Sequence, residues 1–186
     1  MEVVKVPYEK NPSIKFSYTK LLSSDIEKLQ YLLPEAEFNE IVLHWAGSSY
    51  TGYSRHYQIN ICLDPITKLP FVLVADKSTF ADPNIHSHTY KRNSGKIGVS
   101  FICMFDIKKY PVTDSSIQLA GKVIAQLCIK YDLDPVKNVK DHADYARLDG
   151  YAGLRWDTEL KLSNGLDITN QTIKYANASY QVFTGK

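Results

Sequence analysis

Glu40-Ile41-Val42-Leu43-His44-Trp45-Ala46-Gly47 (residues 40–47) is the stretch on which the fold turns. A short apolar run rich in large aliphatic residues and closed by glycine reads as a buried strand. The strand ends on a histidine, His44. In sheets flanked by helices, sites gather at such strand ends. His44 therefore has two readings from position alone: a structural imidazole satisfied by backbone groups, or a functional one.

The chain on either side extends the same pattern. Val3 to Val6 and Ile14 to Tyr18 alternate enough for short strands or an extended arm. Ser23-Ser24-Asp25 followed by Ile26, Leu29, Leu32 and Leu33 predicts a capped amphipathic helix stopped at Pro34. Beyond Gly47, Tyr50 to Arg55 reads as a loop, and His56 to Leu63 alternates as a strand. Asp64-Pro65 turns the chain into a further strand, Leu69 to Val74. Lys77 to Ser94 is a polar surface segment of a length that often carries function. Lys96 to Met104 reads as another buried strand. Asp114 or Ser115 caps a helix that lines up Ile117, Ala120, Ile124, Leu127 and Cys128 and ends near Asp132. Val136 to Lys140 is a short strand or turn leading to His142, and Ile168 to Val182 reads as a terminal helix. Strands interleaved with helices, some of them hairpin neighbours, predict one α/β domain over 1–186. Its architecture is a central mixed β-sheet flanked by helices, which some schemes would class as α+β.

Composition narrows the function classes. The chain has 186 residues, 44% hydrophobic and 23% charged, an ordinary globular mix. A formal net charge of +2 gives no electrostatic case for binding nucleic acid or an anionic membrane. No apolar run approaches the ~20 residues of a membrane helix, so no membrane insertion is expected. Met1-Glu2-Val3-Val4-Lys5 lacks the pattern of a secretory signal, which predicts synthesis in a cytoplasm. Three cysteines, Cys62, Cys103 and Cys128, lie far apart in apolar segments and read as buried free thiols.

The five histidines carry the chemistry: His44, His56, His86, His88 and His142. His142 lies in Lys140-Asp141-His142-Ala143-Asp144-Tyr145, and a carboxylate follows in Leu154-Arg155-Trp156-Asp157. Two histidines and a carboxylate with an open fourth position are the usual ligands of catalytic zinc. Residues distant in sequence can meet where a sheet gathers its strand ends, so spacing alone does not decide the matter.

Four segments, in order, resemble the zinc-dependent N-acetylmuramoyl-L-alanine amidases of the amidase-2 family, which includes phage amidase-type lysozymes, cytosolic muropeptide-recycling amidases and the peptidoglycan recognition proteins. Ile41 to Gly47 resembles the strand ending in a metal histidine, and Arg55-His56-Tyr57-Gln58-Ile59 is similar to the strand that follows. His88-Thr89-Tyr90-Lys91-Arg92-Asn93-Ser94-Gly95-Lys96-Ile97-Gly98-Val99 resembles the H-x4-N-x3-IG(I/V) stretch. His142-Ala143-Asp144, then Arg155-Trp156-Asp157, is similar to the second metal histidine and the closing basic-x-(Asp or Cys) motif. The resemblance spans about residues 39–157, leaving 1–38 as an N-terminal arm and helix and 158–186 as an extension.

The resemblance implies a zinc ion held by His44, His142 and Asp157, with Asp149 and Asp144 as alternative third ligands. It implies Arg155 beside the scissile carbonyl, and His88 and Asn93 lining the substrate groove. Tyr50, Tyr53 and Tyr90 fall in expected loops near His44 and Asn93, where aromatic faces suit a sugar–peptide groove; the alternative is that they are core. The chain departs from the family at two places. Ser100 stands where some members have Glu, and Arg55, or His56 if the alignment slips by one, stands where others have Tyr. The general base is thereby open; His56 is a candidate proton carrier. Tyr57 would lie opposite His56 on an alternating strand, and is expected in the core. The expected activity is hydrolysis of the amide between N-acetylmuramic acid and L-alanine by a monomeric lytic wall enzyme, of phage endolysin or bacterial type, acting on peptidoglycan after release or delivery. The alternatives are a catalytically inactive peptidoglycan-binding module on the same fold and a cytosolic muropeptide-recycling amidase.

Overall fold

Seven strands form one mixed sheet in the order β1-β2-β5-β4-β6-β3-β7. They are β1 (Glu2–Tyr8), β2 (Asn11–Leu22), β3 (Glu40–Trp45), β4 (Ile59–Leu63), β5 (Pro70–Ala75), β6 (Lys96–Phe101) and β7 (Val139–Asp141). The helices are α1 (Leu29–Leu32), α2 (Lys77–Phe80), α3 (Asp114–Tyr131), α4 (His142–Leu148) and α5 (Ile168–Thr184). This computed structural model describes residues 2–8, 11–89, 91–150 and 167–185. The mixed α/β class expected from the sequence is the class observed.

The sheet has an antiparallel half and a parallel half. β1/β2, β2/β5 and β5/β4 are antiparallel, whereas β4/β6, β6/β3 and β3/β7 are parallel. Alternation along the parallel strands gives two different faces. Ile41, Leu43, Trp45, Ile97, Val99, Phe101, Ile59 and Ile61 share one face and join the main apolar core. Helix α3 packs against β4 and β5, and α5 runs against α3. The other face carries Val42, His44, Gly98, Ser100 and Asn60, and its polar members are buried. A buried polar face needs hydrogen-bond partners or ligands, and it is where the site lies.

Local chemistry moves several element ends. Thr113, rather than Asp114 or Ser115, caps α3: its side chain accepts from the Ser116 N–H, leaving the Asp114 charge in the favourable first turn. The expected helix after Ser23 is a 3-10 helix over Ser23–Lys28, with only Leu29–Leu32 α-helical. The chain enters it straight from β2, so Leu22, which has no capping oxygen, occupies the N-cap. β6 stops at Phe101 rather than Met104, and Met104 takes a left-handed φ of 76°. β4 begins at Ile59 rather than His56, because the Gly98 N–H that a longer β4 would pair is taken by Gln58 Oε1 at 2.7 Å. The three thiols are free and buried as expected, and burial raises each pKa, that of Cys128 to about 12.

Gly121 fixes how closely α5 approaches α3. A Cβ at this position would lie 2.5 Å from Tyr175 Cβ and 2.9 Å from the Tyr175 backbone carbon. Glycine costs ~1 kcal/mol in a helix interior relative to alanine, so this contact explains its presence. Gly121→Ala is expected to destabilise the protein by about 1–3 kcal/mol despite better helix propensity, because helix backbone must shift. Urea denaturation measures it; an unchanged or raised midpoint would sink the close-packing account.

Candidate functional site

The parallel register brings the two key histidines together. Leu43 of β3 pairs with Asp141 of β7, so the next residues, His44 and His142, lie level at adjacent strand ends. Their ring centroids are 5.0 Å apart. His142 is the first residue of α4, a position fixed by a capping box. Asp141 accepts from the Asp144 N–H, and Asp144 accepts from the Asp141 N–H. On the other side, His44 pairs in register with Ser100 of β6, which pairs with Asn60 of β4. Ser100 thus faces the site and presents a small neutral hydroxyl.

Two further rings touch His44. Tyr57 lies 5.1 Å away between centroids, and His88 lies 5.1 Å away in an edge-on arrangement. His44 Nε2 and His88 Nδ1 are 3.1 Å apart, while His44 Nδ1 is buried without a hydrogen-bond partner. Burial holds the His44 pKa well below the ordinary imidazole value, and positive charge on His88 or His142 would lower it further. Burial likewise lowers His88 to about 3, with His86 charge a smaller cause. Both rings are neutral near pH 7, the form that offers a lone pair to a metal.

The other expected residues fall differently. His88 is only 7% exposed and sits against His44, so it is withdrawn from an open groove. Asn93 Oδ1 accepts from the Thr89 N–H at 2.7 Å, which ties the loop that carries His88. Tyr50 belongs to the core: it is buried, its hydroxyl donates to the Pro111 carbonyl, and its ring meets Tyr110 edge-on. Tyr53 packs half-buried against Phe71. His56 lies in the turn before β4, with Nδ1 3.1 Å from Ser87 Oγ near the surface. Tyr57, expected in the core, is half-buried beside His44; the parity argument failed because the strand starts only at Ile59.

Asp144 and Asp149 have other partners. Asp144 accepts from Arg147 as well as completing the α4 capping box, and Asp149 takes two hydrogen bonds from the Arg92 guanidinium. Tyr90, Arg155 and Asp157 lie outside the described residues. Among the described residues, no group of three or more His, Cys, Asp or Glu side chains that could hold a metal ion is present. The two histidines of the expected set nevertheless fit one: they adjoin, and His44 has an orphaned buried nitrogen.

Sequence reasoning missed His86 and the polar row Gln58–Asn60–Ser100. His86 is fully buried in the segment read as surface; its Nδ1–H donates to the Arg55 carbonyl at 2.7 Å, and its ring meets Tyr18 edge-on. Alternating polar residues within apolar strands were the available signal. No helix among the described residues is long and apolar enough to cross a membrane. Comparisons of the chain with family models, with curated proteins and with solved structures find no match.

Proposed function

We propose that this chain is a zinc-dependent amidase of the amidase-2 type, cleaving the bond between N-acetylmuramic acid and the L-alanine of a stem peptide. One observation carries the reading: His44 and His142, far apart in sequence, adjoin at 5.0 Å on a buried polar sheet face, and His44 keeps a partnerless nitrogen there. Asp157 completes the ligand set and Arg155 the catalytic pair on the strength of the closing motif. Zinc held by these residues would supply Lewis acidity toward the carbonyl and a nucleophile available near neutral pH. The chain does the rest. His44 and His142 offer ring nitrogens, and Arg155 sets positive charge beside the amide oxygen as that oxygen gains charge. His56 carries a proton to the leaving amine, a task matched to imidazole near neutral pH. Tyr53, Tyr90 and Asn93 flank the groove for a glycan–peptide chain. The enzyme is a wall-lytic one that works after release or delivery.

A catalytically silent peptidoglycan-binding module is the second reading. It is favoured by Ser100, which puts no carboxylate opposite His44. Metal analysis followed by incubation with purified peptidoglycan separates the two. The amidase reading expects about one zinc per chain. It also expects new L-alanine amino termini, lost on chelation and restored by zinc. Zinc with wall binding but no release supports the silent module. Absence of both zinc and release overturns the metal site. Comparing intact wall with soluble muropeptide distinguishes a lysin from a recycling enzyme.

A further inference from the structure

A cavity lies on the same sheet face as His44, toward the other end of the strands. Alternation puts Glu40 and Val42 on the face of His44, and the register adds Lys96 opposite Glu40 and Lys140 opposite Val42. Helix α4 reaches back over this end: Lys96 Nζ donates to the Tyr145 hydroxyl at 2.8 Å. Residues of the strands and of α4 line a cavity of about 620 Å³, the size of a small-ligand site. Four cations and two carboxylates are among them.

Three of the cations are already matched. Arg92 is held by Asp149, Lys96 by Glu40 and Arg147 by Asp144. Lys140 is not: it makes no hydrogen bond or ion pair among the described residues. Tyr145 adds a neutral donor. It is only 6% exposed, with Arg92 and Lys96 against its ring, so it has little freedom to turn. Its oxygen accepts from Lys96, which leaves its own proton to give, and no acceptor takes that proton among the described residues. An ammonium without a counter-ion and a phenol with a spare proton, in one cavity, are donors for an anion. A carboxylate has two oxygens and can accept from both.

We infer that this cavity is a carboxylate subsite for the peptide half of the substrate, with Lys140 as the charged contact and Tyr145 as the neutral one. The inference rests on the proposed amidase reading, which makes the substrate a peptide and puts the reacting bond near His142, two residues along from Lys140. Two strand residues span ~7 Å, and an extended peptide covers the same length in two residues. A carboxylate about two residues beyond the scissile amide therefore reaches the cavity.

The first measurement is calorimetric titration of the full chain with a released stem tripeptide, carboxylates free, and with the same tripeptide fully amidated. The carboxylate form is expected to bind about tenfold more tightly or better. In Lys140→Gln that preference is expected to fall to about twofold, with affinity for the amidated peptide unchanged. Tyr145→Phe keeps the ring and removes the donor, and is expected to lose about threefold of the preference. Circular dichroism and melting check the fold of both variants. Equal binding of the two peptides by the parent overturns the subsite, as does binding of neither. An undiminished preference in folded Lys140→Gln overturns it too. The second measurement is hydrolysis kinetics. Lys140→Gln is expected to raise KM about tenfold and to leave kcat within about twofold, the mark of lost uniform binding. Hydrolysis with an unchanged KM overturns the subsite and leaves the amidase reading standing. A carboxylate preference carried by Lys140 in a protein that releases no stem peptide supports the subsite and removes the amidase reading.

Discussion

His142→Ala is expected to lower kcat/KM for release of stem peptide by at least about a thousandfold, or ~4 kcal/mol of transition-state stabilisation. The fold is expected to survive. His142 starts α4 but does not cap it; Asp141 and Asp144 make the capping contacts. His142 is itself buried, so the variant should be less stable than the parent by about 1–3 kcal/mol while keeping the fold. His44→Ala should lose as much activity but is the poorer test, since removing a fully buried ring from β3 also leaves a cavity. Rates and urea midpoints on both variants check this. Undiminished hydrolysis by a folded His142→Ala protein would remove His142 from the catalytic centre.

Acid is expected to destabilise the metal-free protein progressively from about pH 6.5 downward, beginning before its carboxylates titrate. His86 has a folded pKa of about 4 and His88 of about 3, each lowered chiefly by burial from an ordinary 6.5. Between those values the unfolded chain binds protons that the folded chain refuses. The stabilisation is therefore complete above about pH 6.5 and is lost as pH falls toward 4. Each histidine contributes a slope of up to ~1.4 kcal/mol per pH unit, so the two together remove on the order of 5 kcal/mol between pH 7 and 4.5. That is comparable with the whole stability of many domains. His86 lies away from the proposed ligands, with Nδ1–H bound to the Arg55 carbonyl. His86→Gln should be less stable at pH 7 but show a visibly shallower acid limb. Urea midpoints at pH 7, 5.5 and 4.5 measure it, and parallel curves for variant and parent would show that His86 does not titrate in this range.

Much of the fold was legible because burial writes itself as periodicity. The apolar runs around Val42, Val72 and Val99 became β3, β5 and β6, and the Ile117–Leu127 stripe became the inner face of α3. The terminal helix over 168–182 extends to Thr184 as α5. The N-terminal alternation resolved into a hairpin, β1/β2, whose register with β5 no local pattern states. Errors fell where side chains replaced backbone partners. Gln58 took the Gly98 N–H, which shortened β4 and left His56 and Tyr57 outside the alternation used to assign their faces.

The site was legible as residue types and not as geometry. His44 at a strand end and His142 after a short apolar stretch stand out by residue type and position, and the family resemblance orders them. Tyr50 illustrates the opposite case: a tyrosine in a polar loop looked suited to a groove, yet its hydroxyl found Pro111 and its ring found Tyr110 in the core.

By itself, the sequence determined the mixed α/β class, the strand that carries His44 and the chemical kinds available to the site, because these follow from local hydrophobic pattern and side-chain chemistry. Only the tertiary structure decided that His44 meets His142, His88 and Tyr57, and that Asp144 and Asp149 are engaged elsewhere. The physical reason is register: the hydrogen-bond ladder of β7 on β3 joins residues almost a hundred positions apart, and a slip of one residue would turn a histidine to the opposite face.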